Sequence, residues 1–195
     1  MNPQVWWYVA RASGIIAWLL LTASVIWGIL LSTDAFPTHR RPAWLLDLHR
    51  WLGGLTVAFV GAHLAALVAD SYTHFGIADL AIPYASQWRP GAVALGVVAT
   101  WFLVAVELTS LAMRRLPRKL WRAVHLTSYV VFWLASFHAA FAGTDATNRL
   151  YQLTAAASIA AIVWALVYRL TNRRPVRRRP APGDIPPATA TLRQS

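Results

Sequence analysis

The sequence predicts an all-α integral membrane protein, a five-helix transmembrane bundle, and three observations predict it. Hydrophobic residues make up 57% of the 195 positions and charged residues only 13%, about half the charge of an ordinary soluble domain. The apolar residues are gathered into runs with almost no charge, each close to the roughly 20 residues that a helix needs to cross a bilayer core. The basic residues behind the formal charge of +11 sit in short clusters beside those runs. That is the pattern of cytoplasmic membrane flanks rather than of a nucleic-acid surface.

The first span covers Trp7–Leu31 and ends before Asp34, Pro37 and the pair Arg40–Arg41. The second runs from Trp44 to Ala69, with Pro42 just ahead of it, where proline is tolerated near a helix start. Pro90 introduces the third, Gly91–Met113, and the fourth covers Leu120–Ala142 ahead of Gly143. The fifth is Arg149–Leu170, which closes a membrane domain over residues 1–170. The remainder, 171–195, is rich in Arg and Pro and too poor in apolar residues to fold. It reads as a disordered cytoplasmic tail that can meet anionic lipid or a partner. The N-terminal run is long and has no basic n-region or A-x-A-like site, so it reads as a span rather than a cleavable signal.

Orientation follows from the distribution of Lys and Arg. One alternating set of segments holds Arg40, Arg41 and Arg50, then Arg114, Arg115, Arg118, Lys119 and Arg122, and then the tail. The opposite set holds only Arg11, Arg89 and Arg149. The positive-inside rule therefore predicts a plasma-membrane protein with its N-terminus outside and its C-terminus in the cytoplasm. The second and fourth spans then both run from inside to outside.

Those two spans carry four of the six histidines: His49 and His63, then His125 and His138. His39 and His74 fall in loops. Separations of 14 and 13 residues put the members of each pair roughly 20 Å apart along a helix axis. On parallel helices His49 and His125 share an inner depth, and His63 and His138 an outer one. Ionisable groups within a bilayer are costly and mark function by default. Two facing imidazoles complete a six-coordinate haem iron suited to electron transfer, so the bundle is expected to hold two stacked b-type haems. The plain alternative is buried imidazoles hydrogen-bonded between helices. The chain has no cysteine, which excludes disulfides, thiolate metal sites and iron–sulfur clusters. A zinc or copper site is disfavoured because each depth offers only two ligands. A 14-residue step returns within about 40° of its starting direction, whereas a 13-residue step ends about 140° away. The second pair therefore requires a tilt, a π-bulge or a different ring approach. Gly53, Gly54 and Gly61 would let a flat macrocycle approach the backbone, or simply permit close helix packing.

The stretch His49-Arg-Trp-Leu-Gly-Gly, followed by His63 and Asp70, and the stretch Arg122-x-x-His125-x-x-x-Tyr129, followed by His138 and Gly143-Thr-Asp145, resemble paired haem-ligand helices. The family is the ferric reductase-like transmembrane domain, which includes NADPH oxidases, ferric reductases and the haem-binding membrane subunit of bacterial methionine sulfoxide reductase systems. Ala10-Arg11-Ala12-Ser13-Gly14 is similar to the first core helix of bacterial members. The resemblance covers about Arg11 to Leu170 and implies the pairs His49–His125 and His63–His138. Many members have six spans, and the oxidases and reductases continue into a flavin- and nicotinamide-binding dehydrogenase. Here five spans are followed by the tail, with no G-x-G-x-x-G in a strand–helix setting. A separate reductase or membrane quinol is thus the expected electron donor.

Other residues carry weaker expectations. Glu107 is a carboxylate within the third span, placed to accept protons during quinol oxidation or to pair with Arg114, Arg115 or Thr109. Arg50 and Arg122, beside the inner ligands, suit haem propionates or ordinary positive-inside anchoring. Tyr72, His74, Gln87 and Arg89 in the long loop Asp70–Arg89 could meet the outer haem or an acceptor. Trp6, Trp7, Trp44, Trp88 and Trp121 read as interfacial anchors, and Trp51 and Trp133 as deeper residues that pack on porphyrin or on neighbouring helices. The function expected is a di-haem b-type membrane cytochrome. It would carry electrons from a cytoplasmic or quinol donor to an extracytoplasmic acceptor such as ferric iron, oxygen or a partner oxidoreductase. A cofactor-free membrane scaffold and a haem-binding sensor or carrier are the alternatives.

Overall fold

A computed structural model describes residues 4–33, 35, 42–71, 75–145 and 147–172. The expectations placed on Asp34, Pro37, His39, Arg40, Arg41, Tyr72, His74 and the tail from residue 173 lie outside the described residues. Among the described residues there are seven helices: α1 (Val5–Ser32), α2 (Trp44–Ala69), α3 (Ile77–Ala81), α4 (Pro90–Leu111), α5 (Arg118–Leu126), α6 (Ser128–Ala142) and α7 (Arg149–Thr171). Among the described residues five spans are long and apolar enough to cross a membrane: α1, α2, α4, α5 with α6, and α7. The chain is a multi-pass membrane protein.

Two features depart from the sequence reading. The loop between the second and third spans contains the short helix α3, whose start is fixed by Asp79 Oδ2 accepting the Gly76 N–H at 2.8 Å, as in a capping box. The fourth span is also interrupted at Thr127. There the Thr127 N–H donates to the Val124 carbonyl at 3.0 Å, and its hydroxyl donates to the same oxygen at 2.7 Å. This is a tighter, 3₁₀-type turn, and threonine back-bonding of this kind bends helices.

Helix ends follow local chemistry. Pro90 occupies the first turn of α4, where its missing N–H costs nothing. Arg89 before it has left-handed backbone, φ 43°, which few non-glycine residues adopt. Its guanidinium donates to the Phe141 carbonyl at 2.6 Å, tying the start of α4 to the end of α6. Asn148 caps α7 by accepting from the Leu150 N–H at 2.9 Å.

The core lies where α1, α4, α6 and α7 converge. Trp18, Leu21, Val25 and Ile29 from α1 meet Leu103, Val131, Phe132, Ile162 and Ala165. The rings of Trp18 and Phe132 stack with centres 6.5 Å apart, and the Trp18 indole N–H donates to Ser136 Oγ at 3.0 Å. Outward-facing side chains such as Leu108, Phe141 and Trp164 are apolar and exposed, as lipid contact requires. Phe132→Ala should destabilise the bundle by about 3–5 kcal/mol through the cavity it leaves. Phe141→Ala should stay within about 0.5 kcal/mol of wild type. Unfolding in detergent, followed by helical circular dichroism, checks both.

Candidate functional site

The structure brings together all four histidines of the second and fourth spans as two pairs. His49 on α2 faces His125 on α5, with ring centres 6.0 Å apart and planes at 76°. His63 on α2 faces His138 on α6, with centres 6.4 Å apart and planes at 81°. This pairing makes α2 and the α5–α6 span run parallel. The tight turn at Thr127 advances each residue by about 120° rather than 100°. It therefore rotates His138 toward the face of His125, in the sense that the 13-residue spacing requires.

Each ring is held from behind by an antiparallel neighbour. His63 Nδ1 donates to the Ala10 carbonyl of α1 at 2.7 Å, and His138 Nδ1 donates to the Ala92 carbonyl of α4 at 2.7 Å. A carbonyl only accepts, so both rings carry the proton on Nδ1. His49 Nδ1 lies 3.4 Å from Ser24 Oγ and His125 Nδ1 lies 3.4 Å from Ser110 Oγ, which are longer and weaker contacts. Among the described residues no hydrogen bond engages the Nε2 atom of any of the four. Imidazoles that bind metal are oriented in this way, with one nitrogen tied to a fixed partner and the other presented to the ion.

Glycines allow these approaches, though not the ones the sequence suggested. A Cβ on Gly14 would stand 3.0 Å from His63 Nδ1, one on Gly96 2.7 Å from His138 Nδ1, and one on Gly28 3.1 Å from His49 Cε1. Gly53 instead faces the Glu107 carboxylate, and Gly54 and Gly61 meet open space. The glycines that matter sit on the backing helices, opposite the rings.

A cavity of about 430 Å³ opens at the His63–His138 level, lined by both rings together with Gly14, Thr56, Asp70, Gly96 and Tyr151. Its volume is in the range of small-molecule and cofactor pockets. At its mouth Arg11 forms a two-pronged ion pair with Asp145, with Nε donating to Oδ2 at 2.9 Å, and its guanidinium lies 4.2 Å above the Trp7 ring. Asp70 and Arg89 line the same cavity, so several residues of the two sequence stretches converge there.

The remaining expected residues are placed less simply. Arg50 pairs with Asp47 at 3.2 Å on an exposed face of α2, and Arg122 is exposed with no ion pair among the described residues. Glu107 pairs with neither Arg114 nor Arg115, and the Thr109 hydroxyl donates to the Ala105 carbonyl instead. Trp51 points outward and is 70% exposed, two residues from His49 and from Gly53, which face inward. Trp133 packs edge-on against Phe132 and stacks with Phe137. Gln87 is exposed, while Trp88 packs against Phe75. Trp121 is no mere interfacial anchor, since its ring stacks on that of His125 with centres 5.1 Å apart.

The family model described as ferric reductase like transmembrane component matches residues 13–136, more than half of the chain. The chain belongs to this family. The family points to a membrane component of electron transfer, and the matched segment contains His49, His63 and His125, with His138 two residues beyond it. No curated protein and no solved structure matches the chain.

Ser24, Ser110 and the carbonyls of Ala10 and Ala92 were not legible as site residues. For Ala10, Ser24 and Ala92 the sequence signal is a small residue four positions before a glycine, Gly14, Gly28 and Gly96, which reads equally well as helix packing; Ser110, followed by Arg114, carries no such signal. Gly96→Ala should push His138 off its partner and lower metal or cofactor retention at that level by about 10–100-fold, the usual cost of losing an orienting contact. Gly61→Ala, facing open space, should leave retention unchanged. Both variants gain helix propensity, so a loss confined to Gly96→Ala, read as iron per chain after purification, reports on the ring.

Proposed function

We propose that the chain is a di-haem b-type membrane cytochrome. In this reading His49 and His125 ligate an inner haem, His63 and His138 ligate an outer one, and electrons cross the bilayer between the two levels. One observation carries the proposal: ring-centre separations of 6.0 and 6.4 Å at two depths. Two imidazoles binding one metal from opposite sides, with metal–nitrogen distances of about 2.0–2.1 Å, place their ring centres about 6.3 Å apart. An imidazole pair that merely hydrogen-bonded across the gap would leave no room for an ion between the rings.

When bound, each haem would supply a one-electron redox centre held by a histidine pair, chemistry suited to electron transfer. The residues of the chain do the rest. Ala10 and Ala92 fix the outer imidazoles in one tautomer, and Ser24 and Ser110 contact the inner ones. Gly14, Gly28 and Gly96 let three of the rings seat against the backing helices. The packed layer around Trp18 and Phe132 holds α1, α4, α6 and α7 together. The Arg11–Asp145 pair lines the outer cavity.

The excess of Arg and Lys near the His49–His125 end supports a cytoplasmic position for that end and an N-terminus outside the plasma membrane. The donor at the inner level is then a separate reductase or membrane quinol, and the acceptor at the outer level is extracytoplasmic. Arg50 and Arg122 are the guanidiniums next to the inner ligands in sequence, suited to haem carboxylates.

The purified chain should show a reducible b-type absorption spectrum with two haems per chain. His63→Ala and His49→Ala should each remove one haem. Because the imidazole planes are nearly perpendicular at both levels, the ferric protein should give highly anisotropic low-spin electron paramagnetic resonance signals rather than the well-resolved rhombic spectrum of parallel planes. A preparation with no reducible haem, or His63→Ala with unchanged haem content, would sink the proposal.

A further inference from the structure

Trp121 lies on α5, one turn before His125, and its ring stacks on the imidazole at 5.1 Å with an interplanar angle of 22°. Its indole nitrogen is buried and meets no hydrogen-bond acceptor among the described residues. A buried N–H without a partner costs about 1–3 kcal/mol, and buried tryptophans ordinarily satisfy theirs. The stack keeps this donor on the residue that packs against the His125 ring, one of the two imidazoles of the inner pair.

Its surroundings specify the missing acceptor. At about 100° per residue, Arg118, Trp121, Arg122 and His125 fall within one arc of roughly 100° on α5. One face of this helix thus presents two guanidiniums, an indole N–H and an imidazole. Arg118 and Arg122 form no ion pair among the described residues, which hold only the Arg11–Asp145 and Arg50–Asp47 pairs. Three donors without an acceptor beside an imidazole are suited to an anion of carboxylate or phosphate type.

We infer that Trp121 is a binding residue of the inner centre. Its indole N–H donates to a carboxylate of the inner haem, with Arg122 and Arg118 supplying charge on the same face. This rests on the haem reading of the two histidine pairs. The same chemistry could come from a lipid phosphate, which the experiment separates. The stack has a second role: it restrains the His125 ring, whose contact with Ser110 is long.

The test reconstitutes the full-length chain with haem b or with haem b dimethyl ester, which lacks free carboxylates, and follows haem loss to a scavenging globin. Trp121→Phe keeps an aromatic stack and removes only the donor. It should speed loss of one of the two haems about 10–100-fold, the worth of a hydrogen bond to a charged group, and shift the propionate bands in that haem's resonance Raman spectrum. The other haem, at the His63–His138 level, should be retained as in wild type and reports that the variant is folded. With the dimethyl ester the difference between Trp121→Phe and wild type should vanish, because groups in direct contact are not additive. Two-haem loading with Trp121→Phe indistinguishable from wild type overturns the inference alone. A difference that persists with the ester, or that follows lipid headgroup charge, also overturns it and assigns the donor to lipid. Absence of haem binding by the wild-type chain defeats the underlying reading as well.

Discussion

The structure depends on how a buried imidazole is held when no water is present to satisfy it. A polar ring in the bilayer core must place its N–H on an acceptor, and here the backbone of a neighbouring helix provides two of the acceptors. A helix carbonyl already accepts from the N–H four residues later, but it has a second lone pair. What normally covers that lone pair is the side chain at the later position, because helical side chains lean toward the N-terminus over the preceding turn. Glycine at that position uncovers the carbonyl. Gly14 uncovers Ala10 and Gly96 uncovers Ala92, and in each case the histidine ring takes the space the side chain would have filled.

This local device dictates the arrangement of the helices. Each histidine-bearing span needs an antiparallel partner running directly behind it, α1 behind α2 and α4 behind α5 and α6. The two helical hairpins then face each other with their imidazoles inward, and the unit is in effect used twice. The fourth span must also correct its phase, since its histidines are 13 residues apart. The Thr127 turn contributes to that correction by taking the Val124 carbonyl twice. Between the two levels, Phe132 and Val131 are almost completely enclosed, so the helices are locked in register by packing as well as by hydrogen bonds.

The spans and the histidine pairs were legible because they are written in strong, local signals: runs of apolar residues, breakers and matched spacings. The backing contacts were not, because a small residue four positions before a glycine is also what helix packing selects. Gly53, Gly54 and Gly61, read as sites of macrocycle approach or of close helix packing, do not back the imidazole rings. They lie near the histidines in sequence, but a helix turns its faces quickly, and proximity along the chain says little about what a missing side chain opposes. Trp51 shows the same limit, since two steps from Gly53 or His49, about 200° of helix rotation, are enough to send it outward. For Glu107 the sequence left two readings open, a proton acceptor or a partner for Arg114, Arg115 or Thr109, and it forms none of those pairings. Its carboxylate lies against α2 instead, where Gly53 leaves room for it.

The two levels are specified by different means, and the difference has a physical consequence. At the His63–His138 level the acceptors are backbone carbonyls at 2.7 Å, which fix both tautomers and depend on side chains only through the glycines that expose them. At the His49–His125 level the partners are serine hydroxyls at 3.4 Å, and a hydroxyl can donate or accept, so it fixes neither the tautomer nor the ring angle. Orientation at this level has to come from packing: Gly28 against one ring and the Trp121 stack against the other. One end of the frame is therefore set by the helices themselves and the other by replaceable side chains. Substitution can tune the second kind of site without disturbing the bundle, whereas the first changes only when the helices move.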